Sequence, residues 1–207
     1  MKAVILCNGE PPSDATLARH LPGSGLIICT DGATGWVHAR GVTPHVVIGD
    51  MDSGPPSDGA EVIDAGPHDQ QENTDAEKAL LLALERGATQ IVILGATGRR
   101  LDHTLGNVSL VARYHDRAEI LLADDYSELR VVSGRYSLPA GADSVISLLA
   151  LTPDATLDTT GLKWPLHGPL EAGTRGLSNA AVGGEVVVDV HTGLVAVITA
   201  TSGGTEG

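Results

Sequence analysis

Four short runs of Val, Ile, Leu, Ala and Cys pass with almost no polar interruption, over residues 2–7, 26–29, 45–48 and 90–94. Apolar runs without alternation predict strands covered on both faces, as in the interior of a parallel sheet. A weaker run covers 61–63, and 118–122 adds a further strand. Between these runs, residues 14–20, 34–40, 74–86 and 102–115 space their apolar side chains three and four apart, the helical period. Strands alternating with helices predict an α/β domain of Rossmann-like type, with a mainly parallel sheet covered by helices on both sides.

After about residue 125 the helical period disappears. Runs at 129–132, 144–151, 185–190 and 194–199 are separated by Gly, Pro and Asp, a pattern of strands and turns. The last two are joined at His191-Thr192-Gly193, which suits a hairpin with Gly supplying positive φ. The expected organisation is an α/β domain over 1–125, a smaller all-β sandwich or partly open barrel over 126–200, and a disordered polar tail over 201–207.

Length agrees with two modest domains, since 207 residues exceed the usual ~150 for one. No apolar run approaches the ~20 residues of a membrane-spanning helix. The N-terminal run 3–7 is too short for a signal peptide, so a cytoplasmic protein is expected. Cys7 and Cys29 fall inside predicted strands and are expected as reduced core thiols. The 26 acidic against 13 basic residues give a net charge of −13, a field that opposes a nucleic-acid partner. With no Phe, two Trp and three Tyr, the core must be aliphatic, and each Trp needs a reason.

Carboxylates stand out where strands end. Strand 26–29 runs into Thr30-Asp31-Gly32 and strand 45–48 into Gly49-Asp50-Met51-Asp52-Ser53, at the carboxyl edge where open α/β sheets bind ligands. Spacing of i, i+2 lets Asp50 and Asp52 point the same way in an extended turn, which suits Mg²⁺ shared with phosphates; an isolated Asp-x-Asp is more often a surface loop. Thr74 and Glu77 are spaced as a capping box, with Asp75 in the first helical turn. Lys78, a cation near a helix N-terminus, either faces solvent or answers a nearby anion.

Strand 90–94 leads through Gly95-Ala96-Thr97-Gly98-Arg99-Arg100 into a helix starting near Asp102. Backbone N–H groups and guanidinium forks there can meet phosphate oxygens. Neither Gly-Lys-Ser/Thr nor Gly-x-Gly-x-x-Gly is present, so the loop marks a generic anion site. Taken singly, Asp102 reads as a helix cap, His103 as an exposed first-turn residue and Asn107 as a helix-face amide.

In this order the segments resemble the thiamine pyrophosphokinase (thiamine diphosphokinase) family. The likeness is carried by Asp31-Gly32-Ala33, Gly49-Asp50-Met51-Asp52-Ser53, Asp69-Gln70 with Asn73-Thr74-Asp75, Gly95-Ala96-Thr97-Gly98 through Arg100, and Asp102-His103 with Leu105 and Asn107. Gly161-Leu162-Lys163-Trp164-Pro165-Leu166 and Gly176-Leu177-Ser178-Asn179 complete it. No single piece is specific, but the combination is.

The resemblance implies a nucleotide-binding catalytic domain followed by a β domain for thiamine binding and dimerisation. It also implies a homodimer with thiamine bound between subunits. The implied reaction transfers pyrophosphate from MgATP to the thiamine hydroxyl, giving thiamine diphosphate and AMP. It assigns Asp50, Asp52, Asp75 and Asp102 to Mg²⁺ or its waters, one of them also receiving the hydroxyl proton, and Arg100, helped by Arg99, to the phosphates. Around the nucleotide it places Asp31, Gly32, Asp69, Gln70, Thr74, Thr97, Gly98, Arg99, His103 and Asn107. Arg99 stands where the family usually has a second glycine. Trp164 becomes a stacking surface for the cationic heteroaromatic, with Ser178 and Asn179 at the aminopyrimidine edge; the other reading is a Trp that fills the β-domain core. Trp36 reads as core. Two further readings are a pterin-alcohol pyrophosphokinase and a noncatalytic MgATP or thiamine sensor, although every acidic motif position is filled.

Overall fold

A computed structural model of the chain describes residues 1–50, 59–64 and 72–201. The chain divides into two compact units, Met1–Asp125 and Tyr126–Gly207. Of the tail expected over 201–207, all but Thr201 lies outside the described residues.

In the first unit the strands are β1 (Lys2–Leu6), β2 (Leu26–Thr30), β3 (Val46–Gly49), β4 (Glu61–Asp64), β5 (Gln90–Leu94) and β6 (Glu119–Ala123). They pair in parallel in the order β6-β5-β1-β2-β3-β4. Helices α1 (Asp14–His20), α2 (Thr34–Ala39), α3 (Asp75–Glu85) and α4 (Leu101–Tyr114) alternate with them, and a 3₁₀ turn at Asp31–Ala33 precedes α2. Alternate residues of one strand face opposite ways, yet Ala3, Val4, Ile5 and Leu6 are all fully buried. Both faces of the central strands are therefore covered, as the uninterrupted apolar runs predicted. Val4, Leu6, Cys29, Val47 and Leu94 share one cluster with Leu17 of α1 and Val37 of α2. Cys7 and Cys29 are buried thiols without a disulfide, and Trp36 packs against that cluster half-buried.

The second unit contains β7 (Ser127–Val132), β8 (Arg135–Ala140), β9 (Val145–Ala150), β10 (Thr156–Thr160), β11 (His167–Pro169), β12 (Asn179–Ala180), β13 (Gly184–Thr192) and β14 (Val195–Ala200). One antiparallel set runs β12-β9-β14-β7 and the other β11-β10-β13-β8. Val186, Val188 and Val190 of β13 share a core cluster with Ile146 and Leu148 of β9 and Val195 and Val197 of β14. Two layers closing on one aliphatic core make a sandwich.

The hairpin expected at His191-Thr192-Gly193 does not form. β13 pairs with β8 and β10, whereas β14 pairs with β7 and β9. Gly193 has the expected positive φ of 73°, but its turn carries the chain from one layer to the other. A left-handed glycine permits a sharp reversal without dictating which strand comes to lie alongside. Among the described residues no helix is long and apolar enough to cross a membrane.

Candidate active site

The strand order places the site. From β1 the chain steps outward through β2, β3 and β4, then returns to the opposite side of β1 with β5, so the order reverses between β1 and β5. Ligands of open α/β sheets bind at the carboxyl ends of the strands at such a point. Here the Gly9 N–H donates to the Gly95 carbonyl (2.5 Å) and the Glu10 N–H to the Thr97 carbonyl (2.7 Å). A Cβ at Gly9 would stand 2.3 Å from the Gly95 oxygen, so only glycine fits this approach. A cleft of about 460 Å³ opens beside these loops. Its lining includes Gly32, Thr74, Thr97, Arg99, Arg100, His103 and Asn107, together with Asp31, Asp50 and Asp75.

Asp31 sits on the 3₁₀ turn directly after β2 and is only 5% exposed. Its Oδ1 accepts the Gly32 N–H (2.5 Å), while its buried Oδ2 has no hydrogen-bond partner. Burial pushes its carboxyl up to about 6; the Gly32 N–H opposes that rise, while the neighbouring Asp50 carboxyl and the charge of Asp75 add to it. Gly49 makes the packing possible, since a Cβ there would stand 2.4 Å from the Asp31 Cγ.

Asp75 opens α3 and accepts a salt bridge from Lys78 Nζ at 3.2 Å, so the anion answering Lys78 lies one turn back on its own helix. Thr74 caps that helix by accepting the Glu77 N–H (3.3 Å). The Glu77 carboxylate instead accepts from Tyr114 Oη (2.7 Å) and Arg113 Nη1 (3.0 Å) of α4. The capping box is therefore half formed, and its acid ties two helices together.

On the opposite wall, Asn107 is buried and its Nδ2 donates to the Ala96 carbonyl (2.8 Å), fixing the loop after β5 to α4. Thr97 Oγ1 donates to Asp124 Oδ2 at 3.1 Å. Gly98, with φ of 94°, packs on Glu10 and does not line the cleft. Arg99 Nη1 donates to Asn8 Oδ1 (2.7 Å) and to the Asn8 carbonyl (3.3 Å). Arg100 grips Asp102 through Nη2 (2.5 Å) and Nε (3.1 Å). The Arg100 guanidinium holds the Asp102 carboxyl down to about 2.

The four carboxylates read from the sequence as metal ligands are thus not assembled among the described residues. Asp50 and Asp75 line the cleft with Asp31, while Asp102 belongs to Arg100 and does not line it. Asp52, Asp69 and Gln70 lie outside the described residues. Among those described, no three His, Cys, Asp or Glu side chains form a ready-made metal site. The donor chemistry nevertheless fits a hard divalent cation: a bare buried carboxylate oxygen beside a second carboxyl is a repulsive pair that such an ion relieves.

In the second unit Trp164 is 61% exposed, so the core-filling reading of this indole does not hold. Asn179 is buried, and its amide clamps the Trp164 backbone: Oδ1 accepts the Trp164 N–H (3.2 Å) and Nδ2 donates to the Trp164 carbonyl (2.6 Å). Asn179 therefore holds the tryptophan instead of presenting an open amide. Ser178 is exposed, has φ of 52°, and donates its N–H to Ser147 Oγ (2.9 Å). Sequence reasoning missed Asn8 and Asp124. Both follow predicted strands: Asn8 is an amide and so fell outside a search for strand-end carboxylates, and Asp124 follows the strand at 118–122, to which that search was not extended.

Residues 17–122 match the family model for the thiamin pyrophosphokinase catalytic domain, and residues 135–195 match the one for its vitamin B1 binding domain. Thiamine pyrophosphokinase 1 of Oryza sativa subsp. japonica is 32% identical over 142 residues, 59% of this chain and 53% of that one. Thiamine pyrophosphokinase 1 of Arabidopsis thaliana is 34% identical over 141 residues, 59% and 52% of the two chains. The matches thus span about half the length of these plant relatives. Thiamine pyrophosphokinase of Bacillus subtilis is 28% identical over 177 residues, 81% of this chain and 83% of that one. Among solved structures, thiamin pyrophosphokinase from Geobacillus thermodenitrificans superposes with a TM-score of 0.80 at 28% identity, covering 98% of both chains. The Bacillus subtilis structure shares the fold with a TM-score of 0.83 at 24% identity, covering 98% of this chain and all of that one.

Proposed function

The chain belongs to the thiamin pyrophosphokinase family, and from that membership we propose that it transfers the β,γ-pyrophosphoryl group of ATP to the hydroxyethyl oxygen of thiamine. The hydroxyl oxygen bonds to Pβ as the bond from Pβ to the α-phosphate oxygen breaks. AMP leaves with that oxygen, and the hydroxyl proton passes to a carboxylate of the cleft. The chemistry demands neutralised charge and in-line placement more than covalent participation by the protein.

We read the parallel unit, residues 1–125, as a Rossmann-like nucleotide domain and the sandwich, 126–200, as the thiamine-binding and dimerising domain. Asp31, Asp50 and Asp75, with Asp52, would hold Mg²⁺, which when bound neutralises the polyphosphate. Asp102 is held by Arg100 at the start of α4. Asn107 and Thr97 shape the loop whose N–H groups meet phosphate oxygens. Trp164, steadied by Asn179, offers the face on which the aromatic rings of thiamine stack, in a homodimer that completes the acceptor site.

The observation that carries this reading is the bare, buried Asp31 oxygen beside Asp50, facing a cleft shared with a glycine loop and two arginines. The test is AMP formation from ATP, in Mg²⁺-containing buffer and after chelation, with thiamine and a pterin alcohol compared as acceptors. Equimolar AMP and thiamine diphosphate, formed with thiamine alone and lost on chelation, are expected. AMP formed with the pterin alcohol and not with thiamine would refute the assignment. ATP binding without AMP from either acceptor would also refute it and leave a noncatalytic sensor.

A further inference from the structure

Three cations stand at or beside the cleft, and their partners differ in charge. Lys78 is paired with the Asp75 carboxylate at 3.2 Å. Arg100 forms a two-pronged ion pair with Asp102, so the pair presents no net charge. Arg99 is held by neutral oxygens, Asn8 Oδ1 at 2.7 Å and the Asn8 carbonyl at 3.3 Å. Neutral acceptors orient a guanidinium without cancelling its charge. Both bonds also come from Nη1, leaving most of the five-donor fork to meet an anion.

Asn8 is itself wedged in place. A Cβ at Gly32 would stand 2.4 Å from Asn8 Nδ2, so the amide lies between the backbone after β2 and the guanidinium from the loop after β5. Both residues line the cleft, together with Asp31, Asp50 and Asp75. From this arrangement we propose that Arg99, positioned by Asn8, is the cation that meets the polyphosphate chain of the substrate, and that Arg100 serves chiefly to hold Asp102. Asn8 is then a positioning residue and Arg99 a binding one, reversing the order of importance that the sequence suggested for the two arginines. The inference rests on the nucleotide reading of this cleft.

Calorimetric titration of tripolyphosphate and of ATP, without thiamine and at fixed Mg²⁺, tests it. Loss of a charge-assisted contact predicts that Arg99→Gln weakens both ligands about 10-fold or more and lowers the slope of log affinity against log salt. Asn8→Asp, which gives Arg99 an anionic partner in place of a neutral one, weakens binding with an unchanged melting temperature. Asn8→Asp adds little further loss in an Arg99→Gln background, and in turnover the effect falls on the ATP KM more than on kcat. Wild-type affinity in Arg99→Gln would overturn the proposal, as would equal losses for Asn8→Asp with and without Arg99. If the wild-type protein binds neither ligand, the nucleotide reading falls as well, which separates that failure from a misassigned arginine.

Discussion

Asp31 shows how a single side chain reveals what its surroundings lack. Its folded value of about 6 lies above the ordinary 3.8, so between those values the native state binds a proton that the unfolded chain has released. Stability is therefore present in acid and is lost as pH rises through about 6. The gap between 3.8 and about 6 caps the effect near 3 kcal/mol, and solvent in the open cleft lowers it to roughly 1–2 kcal/mol. In metal-free buffer the melting temperature should fall between pH 4 and 6.5. Asp31→Asn should flatten that fall, raise the melting temperature at pH 7.5 and abolish turnover. Identical pH profiles for the two proteins would show that the carboxyl is not burdened. Asp31 was legible as a strand-end acid; its bare oxygen and its contact with Asp50 were not, because they depend on Gly49 clearing the space from a neighbouring strand.

Among the elements, legibility followed burial. Apart from the exposed edge strand β4, the parallel strands of the first unit are covered on both faces and so write uninterrupted apolar runs, which fixed their positions to within a residue or two. Strands β8, β10, β11 and β12 escaped notice. Arg135–Ala140 alternates exposed with half-buried positions and contains Pro139, and β11 and β12 are three and two residues long. Helix α3 shows a correct motif with an unexpected use: Thr74 caps as predicted, but Glu77 reaches Tyr114 and Arg113 of α4. Removing a buried carboxylate that satisfies a buried tyrosine hydroxyl costs more than removing a cap. Glu77→Ala should destabilise the protein by about 2–4 kcal/mol and Tyr114→Phe by about 1 kcal/mol in urea unfolding. Thr74→Ala should cost about 1 kcal/mol. A Glu77→Ala loss no larger than that of Thr74→Ala would show that the α3–α4 tie contributes little.

For the molecule as a whole, the proposed division of labour assigns nucleotide to the parallel unit and acceptor to the sandwich, and the two assignments separate experimentally. Sequence spacing pointed to both regions, because motifs at strand ends and a tryptophan in an aromatic-poor chain are visible without coordinates. It could not show which arginine pairs with Asp102, or that the Asn179 amide is spent on the Trp164 backbone, since side-chain directions in loops follow no period. Trp164 is 61% exposed, so truncating it opens no core cavity and the melting temperature should stay within a degree or two. If the indole stacks on thiamine, Trp164→Ala removes about 1–3 kcal/mol of acceptor binding, a rise of roughly 5- to 150-fold in the thiamine KM, with the ATP KM nearly unmoved. Asn179→Ala should have a double effect: it frees the Trp164 backbone and removes two part-buried hydrogen bonds, so the thiamine KM rises while stability falls by about 1–3 kcal/mol. Steady-state kinetics beside thermal melts distinguish the two variants. An unchanged thiamine KM in a fully folded Trp164→Ala protein would remove the indole from the acceptor site and leave Asn179 with a purely structural role.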